Sequence, residues 1–61
     1  MKLYVIEGVL DELIELGCSL SKDVALRSAE VINENGGIGY MGSEVWVKEY
    51  EVTDDAVTNF I

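Results

Sequence analysis

The sequence is poor in the residues that most often carry catalysis and metal binding. It contains no histidine, one cysteine (Cys18) and four lysine or arginine residues, against twelve aspartate or glutamate residues. A single cysteine excludes an intramolecular disulfide framework and fits a reducing compartment. The formal net charge of −8 excludes direct binding to nucleic acid, because such binding depends on lysine and arginine side chains that release counterions.

Long apolar runs are absent as well. No stretch of the sequence approaches the about 20 apolar residues that a membrane-spanning helix needs. Residues 1–4 lack the apolar run and the small-residue cleavage site of a signal peptide. We therefore expect a cytoplasmic protein that does not contact a membrane.

What the chain does contain is enough apolar sequence to fold. Of its 61 residues, 49% are hydrophobic and 26% are charged, a composition that argues against disorder. The length allows one domain, residues 1–61, and a chain of this size buries only about 60% of its unfolded surface. Two lobes with a cleft between them do not fit, so we expect a protein that is not an enzyme. Self-association into a homodimer or higher oligomer is the remaining way to stabilise so small a core.

Two strands are predicted in the first third of the chain. Residues 2–10 are β-branched or aromatic at nearly every position, which indicates a strand. Residues 11–20 fit either a helix or a strand by the spacing of their apolar positions. Gly17 weakens a helix interior and therefore favours a second strand, paired with the first through a turn near Asp11 and Glu12.

A helix and a third strand complete the predicted fold. Residues 22–34 predict the helix, with Ser21 as its N-cap and with Asn35 and Gly36 at its end. Residues 44–52 predict the third strand. The order predicts a small α+β domain of ββαβ type, in which a three-stranded, mainly antiparallel sheet carries one helix on one face. The apolar stripe of the helix is predicted to consist of Val24, Ala25, Ser28, Val31 and Ile32, with Leu26 off the stripe as a candidate contact residue.

Strict alternation divides the strand residues between two sheet faces. The even-numbered positions are predicted under the helix: Tyr4, Ile6, Ile14, Leu16, Cys18, Leu20, Trp46, Tyr50 and Val52. The odd-numbered positions are predicted on the uncovered face: Leu3, Val5, Glu7, Val9, Leu13, Glu15, Val45, Val47, Glu49 and Glu51. Because an exposed apolar patch of this size usually marks an interface, we predict that this face pairs with a second copy or binds a target.

The loop after the predicted helix contains a literal G-x-G-x-x-G motif at residues 37–42. In dinucleotide-binding folds this motif follows a strand and opens a helix, whereas here a helix precedes it and a strand follows. We therefore interpret it as a glycine-rich turn. Because the backbone amides of such a loop can also bind an anion, the alternative is a ligand loop consisting of Gly36, Gly37, Gly39, Tyr40, Met41 and Gly42.

No residue pattern points to catalysis, a cofactor or a metal. Asp11, Glu12 and Glu15 are close in sequence, but the loop spacing of a calcium site is absent, so we interpret them as solvated surface charge. Cys18 has no histidine to activate it and is predicted to lie in the core. We therefore predict no catalytic residue, no metal site and no cofactor.

Three segments together resemble a known group of proteins. They are MKLYVIEGV (residues 1–9), SLSKDVA (residues 19–25) and VWVKEYEVTDD (residues 45–55). With them the chain resembles short strand-strand-helix-strand proteins of bacteria and bacteriophages, most of which have no assigned function. The resemblance implies a strand for residues 11–20 and a bacteriophage origin, and it brings no catalytic residues. Residues 57–61 depart from the aromatic-rich tail of that group.

The leading hypothesis is a non-enzymatic acidic interaction protein of bacteriophage type, an accessory or anti-defence protein that binds and blocks a host protein in the host cytoplasm. Its carboxylates would imitate nucleic-acid phosphates toward a basic groove, although the same charge also keeps a small protein soluble. The predicted partner-binding residues are Glu7, Glu15, Val45, Val47, Glu49, Glu51, Asp54 and Asp55. The alternative is an oligomeric small-molecule binder that sequesters a nucleotide immune signal at the glycine-rich loop.

Overall fold

Strand β1 lies at the centre of a three-stranded antiparallel sheet. The computed structural model describes residues 1–52, and within them the chain forms β1 (Lys2–Val9), β2 (Leu13–Ser19), α1 (Lys22–Glu34) and β3 (Trp46–Glu51). The strand order across the sheet is β2-β1-β3. The predicted α+β fold of ββαβ type is confirmed, including the choice of a strand over a helix for the second element.

The pairing of β1 with β2 is interrupted by a β-bulge. Ile6 lies opposite Gly17 and Glu7 lies opposite Glu15, which leaves Leu16 as the extra residue. A bulge exchanges the faces of the residues on its two sides, because strand side chains alternate with a period of two. Strict alternation along residues 13–19 is therefore wrong, and Cys18 lies beside Val5 on the uncovered face instead of under the helix. Its thiol is exposed.

Both ends of α1 are capped as the sequence predicts. The side-chain oxygen of Ser21 accepts a hydrogen bond from the backbone N–H of Val24 at 3.4 Å. At the other end, the N–H of Gly37 donates to the carbonyl of Ile32 at 2.9 Å, and the N–H of Gly36 donates to the carbonyl of Asn33 at 3.2 Å. This is a Schellman arrangement, which requires a left-handed residue after the cap, and Gly36 supplies it with a φ of 99°.

The helix packs on the sheet through its smallest side chains. Ala25 and Ala29 are the buried residues of α1, and Ile32 packs against the core formed by Ile6, Ala29 and Val45. Alanine carries no side chain beyond Cβ, so this stripe lets the helix approach the sheet closely. The predicted stripe is therefore wrong in part: Ala25 and Ile32 belong to it, whereas Val24 and Val31 are exposed.

Strand β3 presents the opposite face from the one that alternation in sequence number predicts. Val47 is paired with Ile6 and packs with it against the core under the helix, while Trp46 and Tyr50 both bond to Glu7 on the other face. Alternation defines two faces within each strand. The register with which β3 pairs with β1 decides which face of β3 lies under the helix. The predicted positions of Val45, Val47, Glu49 and Glu51 on the uncovered face, and of Trp46 and Tyr50 under the helix, are therefore wrong.

The loop from α1 to β3 closes one end of the core. Ile38 and Val45 pack over β1 at Gly8, where an added Cβ would lie 2.7 Å from Cδ1 of Ile38 and 3.1 Å from Cγ1 of Val45. Glycine at this position lets both side chains approach the backbone of the central strand. Asn33 holds the same loop, because its side chain donates to the carbonyl of Val45 at 3.0 Å and accepts from its N–H at 2.8 Å.

Candidate protein-binding site

A buried carboxylate organises the uncovered face of the sheet. Glu7, on the central strand, is only 2% exposed. One carboxylate oxygen accepts a hydrogen bond from the indole Nε1 of Trp46 at 3.2 Å, and the other accepts from the hydroxyl of Tyr50 at 2.6 Å. Buried charged groups are retained when hydrogen bonds satisfy them, and both donors here come from aromatic rings of β3. We call Glu7, Trp46 and Tyr50 the aromatic cluster.

The electrostatics of the aromatic cluster favour the protonated Tyr50 hydroxyl. Its hydrogen bond to Glu7 raises the pKa of Tyr50 above the usual value of 10.0, and partial desolvation together with the nearby charges of Glu7 and Glu15 acts in the same direction. The ammonium group of Lys48 lies 5.3 Å from the centre of the Tyr50 ring, within the range of a cation–π contact. The phenol is therefore held in place by a carboxylate at its hydroxyl and by a cation over its ring.

The geometry of the aromatic cluster fixes the orientation of the Trp46 and Tyr50 side chains. Both oxygens of Glu7 are occupied by donors within the chain, and the side chain is shielded from solvent. Trp46 nevertheless keeps 41% of its surface exposed. Tryptophan and tyrosine that are held rigid before binding are the residues most enriched at the energetic centres of protein interfaces.

A groove of about 580 Å³ runs between α1 and β3, next to Trp46. Its floor is formed by Ala29, Val45 and Val47, and Leu26 of α1 lies along it with an exposed side chain. Because Asn33 bonds to both backbone groups of Val45, the two walls of the groove are tied together. We call this surface the α1–β3 groove.

Negative charge along the α1–β3 groove is not compensated within the described residues. Glu30 and Glu34 line the groove, and neither forms an ion pair in the part of the chain that the structure describes. The two ion pairs of that part lie elsewhere, where Glu49 binds Lys2 at 3.4 Å and Glu51 binds the amino terminus at 3.3 Å. The groove thus combines an apolar floor with two carboxylates that form no ion pair within the described residues.

The glycine-rich loop is a tight turn held by backbone hydrogen bonds. Ile38 and Ser43 form a two-bond bridge at 2.9 Å for each bond, and Gly42 donates back to Gly39 at 3.3 Å. The amides of Gly36 and Gly37 donate to the end of α1. Among the predicted ligand-loop residues, the amides of Gly36, Gly37 and Gly42 are engaged in these bonds, and Tyr40 and Met41 are displayed almost completely to solvent, with Met41 90% exposed.

The predicted partner-binding residues do not form one surface. Glu7 and Glu15 share the uncovered face, as predicted, although Glu7 is buried. Val45 is 5% exposed and belongs to the core, while Val47 lies on the floor of the α1–β3 groove. Glu49 and Glu51 are engaged in the ion pairs described above. Asp54 and Asp55 lie outside the described residues.

Sequence reasoning missed the acidic edge of the groove and the role of the two aromatic residues. Glu30 and Glu34 are one helical turn apart at the end of the predicted helix, a spacing that is visible in the sequence and places like charges side by side. Trp46 and Tyr50 were predicted as core residues because aromatic side chains at alternate strand positions are usually buried. Their bonds to Glu7 had no local sequence signal, since the partners are about 40 residues apart along the chain.

Comparison of the chain with protein-family models, with curated proteins and with solved structures finds no match. Within residues 1–52, no three histidine, cysteine, aspartate or glutamate side chains converge as a metal site would require. The same part of the chain holds no helix with the length and apolar character needed to cross a membrane. The class of protein that the fold defines is therefore a small α+β domain.

Proposed function

We propose that this protein is a non-enzymatic, acidic protein-binding module that docks on a basic surface of another protein. The observation that carries the proposal is the combination of uncompensated carboxylates and exposed apolar side chains on the same small domain. Within residues 1–52, the acidic residues without an ion pair or a buried hydrogen-bonded site are Asp11, Glu12, Glu15, Asp23, Glu30, Glu34 and Glu44.

Charge of this kind favours a basic partner in two ways. Complementary charge accelerates encounter and selects against acidic surfaces, while the apolar side chains supply the contact area that holds the complex. Trp46, with its indole fixed by Glu7, is suited to be an anchor because its conformational freedom is already reduced before binding.

The biological setting that we propose follows from the resemblance to short bacterial and bacteriophage proteins. In that setting the module binds a host protein whose basic groove normally holds nucleic acid, and it blocks the groove by occupying it. Its carboxylates then stand in for phosphates, and nucleic acid competes with the module for the same site.

Affinity capture from a bacterial host lysate tests this function. The immobilised protein is expected to retain a defined set of proteins that a column of an unrelated acidic protein does not retain. Bound proteins should elute as salt rises above about 0.3 M, because screening weakens contacts between exposed charges, and double-stranded DNA should displace them. Retention that is indifferent to both salt and DNA, or no selective retention at all, would contradict the proposal.

We also propose that the module self-associates as a homodimer through the outer edge of β2. This strand has seven residues, with Glu15 as its single charged residue and no lysine or proline, whereas β3 at the other edge carries Lys48, Glu49 and Glu51. Edge strands with few charges and no proline are the more open to pairing with another chain, and the bulge at Leu16 divides this edge into two short segments. The exposed side chains of Leu13 and Leu16 add apolar surface to the same edge.

A further inference from the structure

The α1–β3 groove has a chemical character that the overall acidity of the protein does not explain. Its floor of Ala29, Val45 and Val47 is apolar, and the exposed Leu26 extends that surface along α1. Glu30 and Glu34 stand directly beside the floor. A segment that fills this groove must therefore bring an aliphatic side chain and a cationic side chain at the same time.

The two glutamates occupy positions that weaken the helix they belong to. They are four residues apart, so their like charges are neighbours on the helix surface. They lie toward the C-terminal end of α1, where the helix dipole is already negative, and the last turn holds no basic residue to offset it. Local arrangements that oppose stability are expected where a site serves binding, and the helix terminus here adds its own negative potential to that of the carboxylates.

The groove is formed before any partner arrives. Asn33 bonds to both backbone groups of Val45, which holds the loop leading into β3 against the last turns of α1. A partner consequently meets fixed walls, and little ordering of this chain opposes binding.

We infer that the α1–β3 groove binds an arginine-containing segment of a protein partner. In this complex an aliphatic side chain of the segment rests on Val47 and Leu26, and the guanidinium group of a neighbouring arginine faces Glu30 and Glu34. Arginine fits better than lysine, because its planar guanidinium group can bond two carboxylate oxygens at once and is more weakly hydrated. The inference rests on the proposed function and specifies the surface and the partner chemistry.

A peptide-binding experiment tests the groove. The probe is a short fluorescein-labelled peptide with a central leucine flanked by arginines, and the matched probe has citrulline in place of every arginine, which removes the charge and keeps the shape. Fluorescence anisotropy measures the binding of each peptide to the full chain. The fluorescence of Trp46, the only tryptophan, reports occupancy of the groove independently.

Two double variants separate the groove from general acidity. Glu30→Gln with Glu34→Gln is expected to weaken the arginine peptide about tenfold, which corresponds to about 1.4 kcal/mol, while the citrulline peptide binds weakly to every form. Asp11→Asn with Glu12→Gln removes the same charge in the turn between β1 and β2, away from the groove, and is expected to change affinity less than about threefold. Leu26→Ala should weaken the arginine peptide without changing the salt dependence of its binding.

The results of these experiments distinguish a failure of the groove assignment from a failure of the proposed function. Equal losses in the two double variants, or no binding of the arginine peptide to the wild-type chain while salt-sensitive capture of basic proteins persists, would overturn the groove assignment alone. Absence of both peptide binding and selective capture would overturn the proposed function as well.

Discussion

At the scale of single residues, Glu7 is the centre of the uncovered face. It is an acidic side chain on the central strand, buried without a basic partner within the described residues and satisfied by two aromatic donors. Removing one donor from a buried acceptor costs more stability than the bond itself contributes, because the acceptor stays desolvated. The aromatic cluster is therefore the most sensitive point of this face to conservative substitution.

Tyr50→Phe should destabilise the protein and change its response to alkaline pH. Because the pKa of Tyr50 is raised in the folded state, its contribution to stability is fully present below the unfolded pKa and is lost as pH rises through the folded value. Urea unfolding should show that wild-type stability falls as pH rises above about 10, and that this fall is smaller in Tyr50→Phe. Parallel curves for the two proteins would show that the hydroxyl of Tyr50 does not sense Glu7.

Gly37→Ala should be strongly destabilising. Gly37 has a φ of 73°, a conformation that costs a residue with a side chain about 1–2 kcal/mol, and its added Cβ would clash with the backbone carbonyl oxygen of Ser43. The matched control is Gly17→Ala, where the added Cβ meets nothing within 4 Å, and its expected change is within about 0.5 kcal/mol. Thermal unfolding of both variants checks the difference, and equal midpoints would contradict the strained turn.

At the scale of elements, α1 is the part of the fold that the sequence predicts most fully. Its bounds, residues 22–34, agree with the structure, because the signals that begin and end it act within a few residues: the side chain of Ser21 at one end, and Asn35 with Gly36 at the other. Its rotation on the sheet was predicted only in part. Ala25 and Ala29 are buried against the sheet, whereas the larger Val24 and Val31 are exposed. The helix lies closer to the sheet with alanine in the contact than valine would allow.

The pair Glu30→Gln and Glu34→Gln should stabilise the isolated domain. The change removes a like-charge pair and relieves an unfavourable interaction with the helix dipole, together about 0.5–1.5 kcal/mol at low salt. Chemical denaturation at low and high salt is the appropriate measurement, because the gain should shrink as salt screens the charges. A loss of stability would show that these glutamates support the fold instead of a binding site.

At the scale of the whole molecule, the small core and the large net charge have opposite effects on association between copies of the chain. The buried apolar residues of the described part are Val5, Ile6, Ala25, Ala29 and Val45, and none of them is aromatic. So small a core favours association, whereas eight net negative charges on each copy oppose it. Salt is therefore expected to affect the two proposed interactions with opposite sign: it weakens binding to a basic partner and strengthens pairing between copies.

Sedimentation velocity at increasing protein and salt concentration should reveal the homodimer, with more dimer at higher salt. Leu16→Lys places a charge on the β2 edge and should abolish the dimer. Val31→Lys introduces the same charge on α1 at a side chain of the same 43% exposure and should leave the dimer largely intact. A chain that remains monomeric under all these conditions would contradict the β2 interface and leave the partner-binding proposal untouched.

The candidate site shows where prediction from sequence ends. Glu7 and Glu15 were placed correctly on the uncovered face, because they follow the alternation of β1 and precede the bulge at Leu16. Trp46 and Val47 were predicted on the wrong faces. The residue pattern within β3 does not indicate the register with which β3 pairs with β1.

The amino-acid sequence alone determined the elements of this protein, their order and the acidity of its surface. Those properties depend on propensity, caps and charge, which act within a few residues or simply add along the chain. Only the tertiary structure decided which strand faces coincide, that Glu7 is buried between Trp46 and Tyr50, and that Glu30 and Glu34 border an apolar groove. Each of these depends on strand register and helix rotation, which are set by packing between residues far apart in sequence.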